Sequence, residues 1–255
     1  MPTILDATVA NSAYDTSGNG GRKLEYLQNG WIVAVSKAED YFYFHVDKRD
    51  GNGFIPLCHI YNTTIDLSTH DIAIVKKGNI IYALINVTTT TVQLYKIDPA
   101  SVPDTNIYMM SPYYLGNVDT GQSGFAKGLS LAINSAGTEL HVAWASKNST
   151  YPNSFNIRYA KGTINGDGSV TWGAVEQRTT FNVSGIDAKD PCIILKNNNP
   201  IILHSWNNST SSYRIYAKVY GHTSWTDTYG VVVYDGGSYP QSSPSACVAP
   251  NGRIW

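Results

Sequence analysis

The chain has 255 residues and a formal net charge of −1, and its 18 basic side chains form no cluster, which excludes the footprint of a nucleic-acid-binding face. No apolar run approaches the ~20 residues that span a bilayer, so membrane insertion is not expected. Hydrophobic residues make up 42%, enough for a sizeable core, but charged residues only 15% against roughly 25% in soluble domains, leaving Asn, Ser, Thr and Gly to supply the polar surface of a β protein.

The N-terminus, Met1-Pro2-Thr3-Ile4-Leu5-Asp6, lacks the basic start and apolar stretch of a signal peptide. Residues 1–18 are read as a closing segment with a strand at Thr3–Val9. Beyond them one unit recurs: an apolar strand, a turn ending in Gly or Asn, then a strand rich in Ile and Val. It appears as Lys23–Gly30 with Trp31–Val35, Asp71–Gly78 with Asn79–Leu84, Leu129–Gly137 with Glu139–Trp144, Pro191–Asn198 with Pro200–Trp206, and Ser245–Gly252 with Arg253–Trp255. The turns at Gly30, Gly78, Gly137, Asn198 and Gly252 are 48, 59, 61 and 54 residues apart. Third strands follow at Tyr41–Val46, Thr91–Lys96, Asn156–Lys161 and Tyr213–Lys218, with a weaker fourth such as Gly230–Tyr234. Arg158-Tyr-Ala-Lys161 and Ile215-Tyr-Ala-Lys218 are the closest match between units.

Four antiparallel strands per unit, repeated at this period, predict an all-β β-propeller with blades near 19–66, 67–120, 121–185, 186–237 and a partial one at 238–255. A single meander exposes two apolar faces, and stacking blades around an axis buries both. A two-sheet sandwich is the competing arrangement, but its strands lack such a period. The last unit stops inside an inner strand. Either more chain follows, as in a fragment of a longer protein, or residues 3–9 close the ring. Cys58, Cys192 and Cys247 are widely spaced and sit in alternating apolar stretches, so buried free thiols are expected, with no metal site and no cofactor.

The segment Asn165-Gly-Asp167-Gly168-Ser-Val-Thr171-Trp172 resembles the Asp-box of sialidase-like propellers, a Ser-x-Asp-x-Gly-x-Thr-Trp hairpin between the third and fourth strands of a blade. Asn165 stands at the Ser position here, and Gly168 comes one place earlier than the Gly of the motif. Weaker copies are Lys48–Phe54 and Gly221–Trp225. The resemblance implies a structural turn, with the Asp carboxylate capping backbone N–H groups and the Trp packed into the blade.

Sialidase chemistry would need an arginine triad, a Tyr–Glu nucleophile pair and an Asp acid. The chain has six arginines, lacks the family's Arg-Ile-Pro motif, and places Arg49 and Arg178 by turns or outer strands. Other glycosidases use two carboxylates about 5–10 Å apart. Asp66, Asp71, Asp187 and Asp190 precede inner strands near the axial mouth, although solvated loop aspartates are the simpler reading. His141 and His204 read as packed or hydrogen-bonded.

Binding is the favoured role, with a sialidase-like glycoside hydrolase as one alternative. Trp144, Trp206 and Trp255 recur at the end of second strands, as sugar platforms or as wedges between blades. Arg158, Tyr159, Arg214 and Tyr216 lie close by and are expected to hydrogen-bond sugar hydroxyls. Finally, Tyr14–Leu24 with Leu27–Val35 resembles the opening of propeller-type tail-fibre, baseplate or receptor-binding proteins from phages and prophages of Gram-positive bacteria, over about the first 65 residues. That implies host recognition by a tail component made in the host cytoplasm and found on the virion or released by lysis. Surface glycan, wall polysaccharide or teichoic acid would be the ligand, other tail proteins the partners, and a homo-oligomer would supply avidity. A purely structural tail or baseplate component is the other alternative.

Overall fold

A computed structural model describes residues 24–38, 41–61, 71–86, 88–101, 112–208, 212–220, 231–235 and 244–255. The N-terminal segment, Asp66 and the Gly221–Trp225 motif lie outside them. Four antiparallel meanders follow one another. The first comprises β1 (Leu24–Tyr26), β2 (Ile32–Ala38), β3 (Tyr41–Asp47) and β4 (Phe54–Tyr61). The second comprises β5 (Ile72–Lys77), β6 (Ile80–Asn86), β7 (Val92–Ile97) and β8 (Tyr113–Asp119). In the third, β9 (Gln122–Ile133), β10 (Glu139–Asn148) and β11 (Asn156–Ile164) are followed by two short strands, β12 (Val170–Trp172) and β13 (Glu176–Gln177), both paired with β11. The fourth comprises β14 (Ile186–Lys196), β15 (Asn199–Asn208), β16 (Ser212–Val219) and β17 (Val231–Asp235).

The turn chemistry explains the hairpins. Gly30, Gly78, Gly137 and Gly252 have φ of 89°, 61°, 68° and 76°, the left-handed region that a side chain resists. Asn198, at φ 62°, fills the same place in the fourth unit, as an Asn can. Successive turns are tied together: the Asn29 amide donates to Asn79 Oδ1 (2.9 Å), and the Ser135 amide to Asn198 Oδ1 (3.0 Å).

The first strands are innermost, β1 beside β5, β5 beside β9 and β9 beside β14. Walled in on both faces, they carry unbroken apolar runs such as Ile72-Ala-Ile-Val75, all buried. The core lies between sheets. Val33, Val35, Phe42 and Phe44 meet Ile72, Ile74 and Ile81. Leu84, Leu94 and Tyr82 meet Leu140, Val142 and Trp144. Ala143, Ala145 and Tyr159 meet Ile193 and Ile202. The fourth sheet's far face, with Ile194 and Leu203, packs on Ala246 and Val248. There Val248 bridges Ile254, and Cys247 and Trp255 exchange two backbone hydrogen bonds of 3.0 Å, which begins a fifth unit. Two sheets pressed face to face do not describe this stack.

Three expectations are corrected. Cys58 and Cys192 are buried thiols, but Cys247 is exposed, because its neighbour across the short final hairpin is the exposed Trp255. The inner strands of the third and fourth sheets begin at Gln122 and Ile186, well before Leu129 and Pro191. Proline lacks an N–H for the ladder, and a bulge between Lys189 and Cys192 accommodates Pro191 inside the strand. Gly128 (φ 59°) lies so close to that bulge that a Cβ there would sit 2.6 Å from Asp190 Cα.

Candidate functional site

Each sheet has a leading end, where its first strand begins, and a hairpin end, where that strand turns into the second. Of the expected tryptophans, Trp144 lies midway along β10 and Trp206 toward the leading end of its sheet. Trp144 is fully buried and faces the second sheet, so it is a wedge and offers no ring face to a sugar. Its cross-strand neighbour Arg158 lies over the ring, the guanidinium carbon 5.7 Å from the centroid, and forms an ion pair with Asp119 of the second sheet. A buried charge persists only when paired, and Asp119 supplies the pairing.

The fourth sheet repeats the arrangement with Trp206 and Arg214, again at 5.7 Å. This set is half-buried, with Phe181 at 6.3 Å and Tyr216 edge-on at 5.9 Å from Trp206. Trp255 is 70% exposed on the fifth unit, apart from the others. The near-identical Arg158–Lys161 and Ile215–Lys218 segments are out of register by one residue. Tyr159 pairs with Ala143 and faces the fourth sheet, whereas Tyr216 pairs with His204 and faces the third.

The aspartates at leading ends are occupied. Asp71 accepts the Ile72 and Leu129 amides (2.8 and 3.2 Å), which ties β5 to β9. Asp187 accepts the Phe155 amide (2.8 Å) and pairs with Lys189 (2.7 Å). Asp190 accepts from the Ser205 hydroxyl (3.1 Å).

The Asp-box-like segment is a hairpin between β11 and β12. Asp167 accepts from the Ser169 amide (2.9 Å) and hydroxyl (2.7 Å), and Asn165 Nδ2 donates to Thr171 Oγ1 (3.1 Å). Trp172 folds over Gly162, where a Cβ would lie 2.8 Å from its ring. Tyr82 donates to the Gly168 carbonyl (3.0 Å), and Lys96 to that of Asp167 (2.9 Å), so the hairpin docks on the second sheet.

A different site opens at the hairpin end, between the third and fourth sheets. A cleft of about 280 Å³ is lined by Glu139, His141, Tyr159, Lys161, Glu176, Asn198, Asn199, Pro200 and Tyr220. Glu139 and His141 alternate on β10, and Tyr159 and Lys161 on β11, so all four project from one face. His141 Nδ1 shares a 2.7 Å hydrogen bond with the Tyr159 hydroxyl. Glu139 reaches Lys161 Nζ at 3.1 Å and His141 Nε2 at 3.6 Å, and Glu176 pairs with Arg178 at 2.9 Å.

Burial pushes His141 down to about 4, against the opposing pull of Glu139. Burial also raises the Tyr159 phenol, and Glu176 and Glu139 add to it. For Glu139, burial works to raise the carboxyl, but Lys161 and then His141 outweigh it and hold the group below its ordinary value. At neutral pH the cleft therefore holds an ionised Glu139, a neutral imidazole and a neutral phenol. Of the residues expected to bind sugar, Tyr159 alone lines this cleft. Polar residues at every second position of two adjacent strands, on a face that should be apolar, were the signal for the rest.

No family model matches the sequence, and no curated protein matches it. Solved structures do. The α-L-arabinanase of Penicillium chrysogenum complexed with arabinobiose aligns over 96% of this chain and 75% of its own, at 16% identity and TM-score 0.58. A polysaccharide lyase aligns over 91% and 62%, at 10% identity and TM-score 0.57. The α-L-arabinofuranosidase of Lactobacillus brevis aligns over 96% and 83%, at 12% identity and TM-score 0.54. Likeness at these identities concerns the fold. This chain folds as a β-propeller. Its sheets are blades, and the cleft lies between the third and fourth blades of the propeller.

Proposed function

We propose that this propeller binds carbohydrate chains in the cleft between its third and fourth blades. The observation that carries the reading is the lining itself. Sugar hydroxyls both donate and accept, and vicinal pairs suit a carboxylate that accepts two hydrogen bonds. Glu139 and Glu176 supply acceptors, Lys161, Asn198 and Asn199 supply donors, and Tyr220 supplies aromatic surface, while the buried Tyr159 and His141 form the floor. The two carboxylates are matched by Lys161 and Arg178, so a neutral glycan suits the cleft better than the polyanion teichoic acid. The arabinanase, arabinofuranosidase and lyase of similar fold all act on carbohydrate by name, which supports the same ligand class.

Hydrolysis is the second reading, favoured by the two carboxylates on one cleft. It needs an acid to protonate the leaving oxygen. Glu139 is held ionised and His141 neutral, which favours binding. The finer setting, a phage or prophage tail module that recognises host wall polysaccharide beside other tail proteins and gains avidity as a homo-oligomer, rests on the resemblance of the first segment and on composition.

The test is a glycan array of Gram-positive wall polysaccharides together with titration of arabino-oligosaccharides. Binding is expected, weakened about tenfold in Glu139→Gln or Glu176→Gln, the loss of roughly one charge-assisted hydrogen bond. Affinity untouched by both changes would overturn the reading, and so would no binding at all. Release of reducing ends, abolished in Glu176→Gln, would favour hydrolysis.

A further inference from the structure

We infer that the outer edge of the second blade carries a second carbohydrate platform, built by Gln93, Tyr95, Tyr114 and Asn117. The inference rests on the carbohydrate-binding reading of the propeller, and it places contact at a site separate from the cleft. Gln93 and Asn117 are cross-strand partners on β7 and β8, as are Tyr95 and Tyr114. Val92 and Leu94 enter the core with the third blade, so Gln93 and Tyr95 face the first blade, where Tyr95 rests partly buried against the shared core and supports the exposed Tyr114.

Tyr114 and Asn117 are three residues apart and would normally point to opposite faces. A bulge breaks the register between the Leu94–Gly116 and Tyr95–Tyr114 pairs, with Gly116 at φ 115°. It absorbs Leu115, which turns toward the third blade, and it brings Tyr114 and Asn117 onto one face. Bulges of this kind re-aim side chains.

The polar groups are ordered in advance. The Tyr95 hydroxyl donates to Gln93 Oε1 (2.9 Å), and Gln93 Nε2 donates to Asn117 Oδ1 (3.2 Å). The Tyr114 hydroxyl donates to the same Asn117 Oδ1 (2.8 Å). Both tyrosines have thus spent their protons inward, leaving their oxygens as acceptors. Among the described residues no acceptor meets Asn117 Nδ2, which is left to donate. The two rings lie 5.5 Å apart at 53°, and Tyr114 is 47% exposed.

Covering the exposed Tyr114 ring removes apolar surface from water, and a fixed donor–acceptor array lowers the ordering cost of binding. The array holds no charge, so the ligand it fits is a neutral sugar whose C–H face lies on Tyr114 while its hydroxyls meet Asn117 and the phenol oxygens. Long chains can engage platform and cleft together, whereas a short oligosaccharide occupies one site.

The experiment is affinity gel electrophoresis of the full chain in gels containing arabinan, xylan, mannan or β-glucan, alongside titration with arabinotriose. Tyr114→Ala and Asn117→Ala are expected to reduce polysaccharide retardation about tenfold, as loss of a stacked anchor does, with arabinotriose binding at the cleft unchanged. Tyr114→Phe, which keeps the ring, should lose less. These side chains are at the surface, so melting temperatures serve as the check that the variants are folded. Full retardation in both alanine variants, with loss in Glu139→Gln, would overturn the platform and leave the cleft standing. The reverse pattern would support the platform and remove the cleft. No retardation of the wild-type chain in any gel would overturn both.

Discussion

The third blade packs against a neighbour on each side, and the two interfaces are built differently. Toward the second blade it presents Leu140, Val142, Trp144 and Ala160, closed by the Arg158–Asp119 pair and by the docked Asp167 hairpin. Toward the fourth it presents His141, Ala143, Ala145 and Tyr159, which meet Ile193, Ile202 and Ala188. Alternate residues of β10 make both surfaces, Leu140, Val142 and Trp144 to one side and His141, Ala143 and Ala145 to the other. Large apolar side chains dominate the first interface. Ala143, Ala145 and Ala188 make up much of the second, and polar side chains line the cleft at its hairpin end. One strand thus divides its two faces between packing on the neighbouring blade and lining the cleft.

Breaking the apolar interface should have the largest effect. Trp144→Ala removes a fully buried ring and the surface on which Arg158 lies, and is expected to cost about 3–5 kcal/mol by urea denaturation. A loss below about 1 kcal/mol would mean that the interface is loosely packed.

The polar interface should show itself in pH. His141 and His204 are both buried and pushed down to about 4, chiefly by burial. The unfolded chain takes up these protons near pH 6.5, before the folded chain does. Stability is therefore full above about pH 6.5 and falls as pH drops toward 4, by about 3 kcal/mol for each histidine. Urea midpoints across that range should decline, and less steeply in His204→Phe. A flat profile would contradict the burial of these rings.

Next comes the ion pair. Asp119→Ala leaves the Arg158 charge buried without its partner, at a cost of about 3 kcal/mol. Adding Arg158→Met should recover most of the loss, which a double-mutant cycle would measure. The smallest effect is expected from Tyr82→Phe, which deletes one hydrogen bond to the Gly168 carbonyl and should cost about 1 kcal/mol.

The stack was legible in the sequence because its turns impose a local demand. Gly30, Gly78, Gly137 and Gly252, with Asn198 in register, are the residues that tolerate positive φ. The Asp-box-like turn was legible for a similar reason, since Asp167 caps a hairpin within two residues of itself. The site was less so. Trp144 and Trp206 fall on second strands, but β10 and β15 run on past them to Asn148 and Asn208, and a period of two does not say which neighbour a face meets, or whether that neighbour covers it. Similar words can also mislead, since Arg158–Lys161 and Ile215–Lys218 differ by one residue in register and point their tyrosines opposite ways. The cleft joins Glu139 and Tyr159 of one blade to Asn198 and Tyr220 of the next, a pairing set by how the blades dock.

The most direct test of the cleft is hydroxyl-radical footprinting of the full chain with and without bound arabinan. Protection is expected at Lys161, Glu176 and Tyr220, which line one space from two blades and are open to solvent in the free chain. Protection confined to Trp206 and Trp255, with those three residues unchanged, would contradict the account.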